Sequence, residues 1–169
     1  GDIRDRPTLR AALEGVDAIM HLAAQVSVRV SVEDPVTSAE HNVTGFVNTL
    51  QAARELGVER VVYASSAAVY GIPEKLPLDE ESPLAPISPY GLEKQIDEQY
   101  ARMFSLLYGM STLGLRYFNV YGPRQDPTSP YAGVISKFAD CIQSGKPLSI
   151  FGDGLQTRDF VYVKDIARV

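Results

Sequence analysis

Apolar positions along the chain alternate between compact runs and a helical period. Asp17 to Ala24 is a compact apolar run, the pattern of a buried parallel strand that flows into a loop. After Asp34 and Pro35, apolar residues recur at Val36, Ala39, Val43, Phe46, Val47, Leu50 and Ala53, which is helical spacing, and Gly57 supplies the stop. Arg60 to Ala64 reads as the next strand. Pro89 at a first helical position, with Ser88 as its cap, opens a helix through Ile96, Tyr100, Met103, Phe104 and Leu107 to Gly109. Ser111 to Phe118 returns as a strand, and Val134 to Ile142 as a helix ended by Gly145 and Pro147. Shorter elements are a helix over Thr8 to Glu14, closed by Gly15, and strands over Leu148 to Phe151 and Phe160 to Val163. Two loops interrupt the pattern. Residues 73–89 carry Pro73, Pro77, Pro83, Pro86 and Pro89 among several acids, and Gly122 to Pro130 is rich in Gly and Pro.

Strands alternating with helices at this spacing predict an α/β fold, a partial Rossmann-like parallel sheet with helices on both faces and right-handed crossovers. Ligands in such sheets lie beyond the carboxyl ends of the strands, so the loops after Leu22, Ser65 and Phe118 should converge. Composition bounds the function. A net charge of −5 argues against nucleic acid or an anionic membrane surface. The single cysteine, Cys141, excludes an intrachain disulfide, and its apolar neighbours Phe138, Ala139 and Ile142 point to a small buried thiol. His21 and His41 are too few for a metal site, so none is expected. No apolar run approaches a membrane span and no signal peptide opens the chain, which fits a reducing cytoplasmic setting. Both ends look cut: no strand-glycine-helix unit precedes Gly1, and Asp165 to Val169 reads as the opening of a helix.

The chemistry centres on Ser65-Ser66, at the end of a strand, and on Tyr90 and Lys94 on one helix face. A Tyr/Lys pair alone is as well read as a solvated helix face. Here it follows a strand that ends in serines, with a loop between them. A free phenol, with a pKa of ~10, is a poor base at neutral pH, and a nearby ammonium lowers that value. Tyr90 could then exchange protons with a substrate hydroxyl, bridged by Ser66.

These residues also carry a resemblance. The segments are His21-Leu22-Ala23-Ala24-Gln25, Ser65 to Gly71, Tyr90-Gly91-Leu92-Glu93-Lys94, Arg116 to Arg124, and Gly152-Asp153-Gly154 through Arg158-Asp159-Phe160. Over the whole chain, in order, they resemble an extended short-chain dehydrogenase/reductase, closest to nucleotide-sugar epimerases of the UDP-glucose 4-epimerase type. The resemblance implies bound NAD, a Ser66/Tyr90/Lys94 triad and a UDP-sugar substrate. It implies cofactor contacts from Asp2, Ile3, Leu22, Ala23, Ala24, Gln25, Asn42, Ala64, Ser65, Tyr90, Lys94 and Tyr117. Substrate contacts are implied for Ser27, Val28, Ser66, Ala67, Tyr90, Asn119, Val134, Ser149, Phe151 and Arg158. Several have a plain alternative: an exposed polar residue for Asn42, a turn residue for Asn119, a surface ion pair for Arg158, and core packing for Val134, Ser149 and Phe151. The resemblance divides the chain into 1–121, the later portion of an NAD-binding domain, and 122–169, the start of a small substrate lobe whose residues 160–169 return to the main sheet. It further implies a homodimer through the helices at 36–56 and 90–108, Phe46, Leu50, Tyr100 and Phe104 included.

The family's glycine-rich phosphate loop is absent, so the full-length protein is expected to be the enzyme and this stretch alone to be inactive. By the same resemblance a 4,6-dehydratase shows an acidic pair after the serine, and a UDP-glucuronate decarboxylase a Glu. Ala67-Ala68 offers neither, which favours epimerisation at C4 through a 4-keto sugar. The alternatives are another nucleotide-sugar-modifying enzyme of the family, or a non-catalytic nucleotide-binding protein if the native chain lacks the phosphate loop.

Overall fold

A computed structural model describes residues 1–129 and 131–169, so Pro130, the end of the expected loop at 122–130, lies outside the described residues. In chain order the elements begin with helix α1 (Arg6–Ala12), strand β1 (Ala18–His21), helices α2 (Val28–Glu33) and α3 (Pro35–Ala39), and a π-helical turn at Glu40–Thr44. Helix α4 (Gly45–Leu56), strand β2 (Arg60–Ser66), a 3₁₀ turn at Ala67–Tyr70, helix α5 (Pro89–Tyr108) and strand β3 (Ser111–Tyr117) follow. Strand β4 (Asn119–Tyr121), helix α6 (Val134–Ser144), strand β5 (Phe160–Tyr162) and helix α7 (Val163–Ile166) complete the chain. Among the described residues no helix is long and apolar enough to cross a membrane.

Two compact units result, residues 1–116 and 117–169. The first holds a three-stranded sheet in the order β1-β2-β3, with β1 and β2 parallel and His21 in register with Tyr63. This is a Rossmann-like parallel sheet with flanking helices. Period-two alternation turns Ile19, His21, Val61 and Tyr63 inward, where Phe46, Leu50 and Ala53 of α4 and Ala101 and Phe104 of α5 meet them. On the other face Met20 is 69% exposed. Phe46 is the centre of the packing, its ring 5.1 Å from His21 and 4.9 Å from Tyr63.

Several expectations need correction. The helix expected from Val36 onward is interrupted by the π turn, whose extra residue per turn re-aims the buried Asn42. Residues 148–151 form no strand; without a paired neighbour this short, mostly apolar stretch has no ladder to join. β5 pairs in parallel with β4 in a separate two-stranded sheet, Asn119 opposite Phe160, instead of returning to the main one. Cys141 is only half-buried. Phe46, Leu50 and Phe104, expected at a dimer interface, are core residues, whereas Tyr100 is exposed. α2 and the 3₁₀ turn carry no sequence period long enough to announce them.

Because Phe46 is fully enclosed between two rings and the sheet, Phe46→Ala should destabilise the first unit by about 3–5 kcal/mol, read from a denaturant midpoint.

Candidate active site

The site of the first unit lies where β2 ends and α5 begins. Ser88 caps α5, its hydroxyl accepting from the Gly91 amide at 3.1 Å, and Pro89 takes the first position, as the sequence predicts. The helix start sits so close to the 3₁₀ turn that a Cβ on Gly91 would lie 2.6 Å from the Ala68 carbonyl oxygen. Only glycine permits this approach. Gly71, at a φ of 63°, turns the chain where a side chain would meet the Ala85 carbonyl. Helix α2 supports the same corner, with Ser31 Oγ accepting from the Tyr90 amide at 3.1 Å and donating to the Val28 carbonyl at 2.7 Å.

Ser66 and Tyr90 are thereby brought together. The Ser66 hydroxyl is close enough to the Tyr90 phenol to pull its pKa down, while Ser66 Oγ accepts from the Ala68 amide at 3.2 Å. The phenol nonetheless stands above its ordinary value: burial raises it first, and the carboxylates of Asp97 and Glu93 add to the rise. Lys94 does not offset this as the sequence implies. Its buried ammonium is turned to Asp97, 3.3 Å away, and acts on the neighbouring His21 instead. Burial, helped by that ammonium, holds His21 down to about 4, so the ring is neutral at pH 7. Asp97 is pushed up by burial, against the pull of Lys94, to about 7, and its Oδ1 has no hydrogen-bond partner among the described residues.

The segment after β1 is fixed by a buried polar network. Asn42 Oδ1 accepts from the Gln25 amide at 2.8 Å, and its Nδ2 donates to the Gln25 carbonyl at 2.9 Å and to Glu93 at 2.6 Å. Ser38 Oγ donates to the same Glu93 oxygen at 2.9 Å and accepts from Gln25 Nε2 at 3.0 Å. Both ends of the Asn42 amide are engaged, so it positions the Gln25 backbone. The Ser65 hydroxyl is likewise committed to Glu98 at 2.6 Å. Ser27 caps α2, accepting from the Val30 amide at 3.2 Å, and its amide meets Gln25 Oε1. Leu22 and Ala23 stay exposed just beyond β1, Leu22 at 54%, with Ala24 partly so. Ala64 and Tyr117 are partly buried, and Ala67 opens the 3₁₀ turn. Asp2, at the surface, is held by Arg4 at 2.7 Å, which keeps its carboxyl well below the usual range, and Ile3 packs under Gly45.

In the second unit, Asn119, Val134 and Arg158 line one cavity of about 300 Å³ together with Tyr121, Tyr131 and Phe160. Asn119 Nδ2 donates to the Asp159 carbonyl at 3.0 Å, and Arg158 Nη1 to the Thr157 carbonyl at 2.7 Å. Ser149 and Phe151 are not part of that wall, and Phe151 is 84% exposed. Glu98 is in none of the segments that carry the resemblance, and Glu93 and Arg116 stand in them without a role of their own. An acid just before Lys94 and another four residues after it are ordinary helix-surface residues until the packing buries them.

An exposed apolar ledge at Leu22 and Ala23, at the carboxyl end of a parallel strand, and a half-buried phenol at the start of α5 in the same unit fit a flat, partly apolar cofactor such as a dinucleotide. Comparisons with known proteins agree. The model of the NAD dependent epimerase/dehydratase family matches residues 1–169. The UDP-glucose 4-epimerase of Mycolicibacterium smegmatis is 45% identical over 151 residues, which are 89% of this chain and 48% of that protein. The UDP-N-acetylglucosamine 4-epimerase from Methanobrevibacter ruminantium M1, solved in complex with UDP-N-acetylmuramic acid, has a TM-score of 0.93 at 42% identity, covering 99% of this chain and 54% of that one. A dTDP-glucose 4,6-dehydratase from Streptomyces venezuelae, solved with NAD bound, has a TM-score of 0.85 at 38% identity, covering 99% and 51%. The chain thus spans about half the length of the relatives it matches. Matched from its first residue to its last, the chain belongs to the NAD dependent epimerase/dehydratase family.

Proposed function

We propose that the full-length protein interconverts a UDP-hexose and its C4 epimer through a transient 4-keto sugar. The observation that carries this reading is the Ser66 hydroxyl set against the Tyr90 phenol at the carboxyl end of β2. Ala67 and Ala68 follow in the 3₁₀ turn and offer no acid or base for eliminating water, which favours epimerisation over dehydration. The relatives include both epimerases and a dehydratase, so this pair of alanines supports the narrower choice.

Bound NAD would supply the hydride chemistry at C4. Leu22, Ala23, Ala24 and Gln25 hold it in this reading, with Tyr90 and Lys94 beside them. Tyr90, as phenolate, takes the C4 hydroxyl proton, and Ser66 relays it. The phenolate needs positive charge, because burial and two carboxylates oppose it. Lys94 supplies that charge once Asp97 no longer neutralises it. Burial pushes the Asp97 carboxyl well above its ordinary range, which weakens its hold on that charge. Asn119 and Arg158 contact the diphosphate, whose oxygens suit a guanidinium. A homodimer through exposed Tyr100, Met103, Leu106 and Leu107 of α5 belongs to the same proposal; a monomer in sedimentation at micromolar concentration removes that part.

Incubating full-length protein with UDP-glucose and with UDP-N-acetylglucosamine should show C4 inversion of at least one by NMR; inversion of neither overturns the reading. Tyr90→Phe should lower kcat about 1,000-fold with NAD still bound, whereas Arg158→Ala should act chiefly on KM. Since the Ser66 hydroxyl lowers the pKa of Tyr90, Ser66→Ala must raise it. The limb of kcat that rises with pH as the phenol ionises should then move up by about one pH unit. A limb that stays in place removes Ser66 from the relay.

A further inference from the structure

The segment that carries Ser66 is held at both ends by one ion pair that the mechanism has not used. At its start, Ser65 Oγ donates to Glu98 Oε1 at 2.6 Å. Glu98 in turn accepts from Arg116 Nε and Nη2, each at 2.8 Å, in a two-pronged bond. At the segment's other end, Arg116 Nη1 donates to the Tyr70 hydroxyl at 2.9 Å, and the guanidinium carbon lies 5.0 Å from the centre of the Tyr70 ring. The same nitrogen donates to the Glu80 carbonyl at 3.0 Å, while the Tyr70 hydroxyl donates to the Asp79 carbonyl at 2.9 Å. One guanidinium therefore ties β3, α5, the 3₁₀ turn and the proline-rich loop together, a task the point charge of a lysine could not perform.

We propose that Glu98 and Arg116 are a positioning pair that sets the Ser66 hydroxyl against the Tyr90 phenol, acting through Ser65 and Tyr70. The inference rests on the reading of Ser66 and Tyr90 as the proton-transfer pair. Hydrogen bonds weaken steeply with misalignment, so the Ser66–Tyr90 contact depends on where the 65–70 segment is pinned. Around Tyr90, Glu93 and Asp97 of its own helix raise the phenol, the Ser66 hydroxyl from β2 lowers it, and Ser31 from α2 meets only its amide. Neither Glu98 nor Arg116 is among the groups that bear directly on the phenol.

That separation gives the test its sign. Titrating full-length protein by tyrosinate absorbance, with the Tyr90→Phe variant subtracted, isolates the Tyr90 midpoint. Glu98→Ala and Ser65→Ala should each raise it by about one pH unit, as Ser66→Ala does. Glu98→Gln should leave it nearly in place, because its amide oxygen still accepts from Ser65. Combining Glu98→Ala with Ser66→Ala should move it no further than Ser66→Ala alone. A direct charge effect runs the other way, since removing the Glu98 charge would lower the midpoint in both Glu98 variants. A lowered or unmoved midpoint, or additivity with Ser66→Ala, overturns the proposal. If Glu98→Ala fails to fold, Ser65→Ala decides alone. In turnover, kcat for C4 inversion should fall about tenfold with KM unchanged. If wild-type protein inverts no UDP-hexose while the midpoints shift as stated, the functional reading fails and the positioning role stands.

Discussion

Helix α5 turns charged side chains inward, and a buried charge is tolerated only when something pairs with it. Glu93, Lys94 and Asp97 are all buried, and Glu98 is largely so. Each must be answered from another part of the molecule or from the helix itself. Glu93 is answered by Ser38 of α3 and Asn42 of the π turn, Lys94 by Asp97 one turn on, and Glu98 by Arg116 of β3 and Ser65 of β2. One helix thereby fixes the segment after β1, the end of β2 and the end of β3. Those are the places where a parallel sheet presents its ligand loops.

The same requirement sets the electrostatics of the proposed site. Tyr90 shares its helix with Glu93 and Asp97, which oppose a phenolate, and the Ser66 hydroxyl is the group that favours one. Lys94, one turn from Tyr90, is committed to Asp97, whose own carboxyl is held near neutrality by burial. A buried ion pair of this kind contributes little net stability, because desolvation offsets the attraction.

The second unit works on a smaller scale. β4 and β5 pair over three residues, with Tyr121 lying edge-on to Phe160 at 6.3 Å and tilted against Tyr162 at 5.6 Å. That short sheet brings Asn119 and Arg158, far apart in sequence, to one cavity with Val134 at the start of α6. Phe151 stays outside it, because residues 148–151 gain no strand partner.

The sequence by itself determined the strands of the first unit, the span of α5, and the cap at Ser88 and Pro89. Those features follow from hydrophobic period and local hydrogen bonding, which neighbours in the chain decide. The family, too, was legible in the segments around Ser66, Tyr90 and Arg116. Tertiary structure alone decided that Asn42 bonds Gln25 and Glu93, that Phe46 and Leu50 are core, and that β5 joins β4. The reason is common to all three. Which partner a buried polar or apolar side chain finds depends on residues distant in the chain, and no local pattern records that choice.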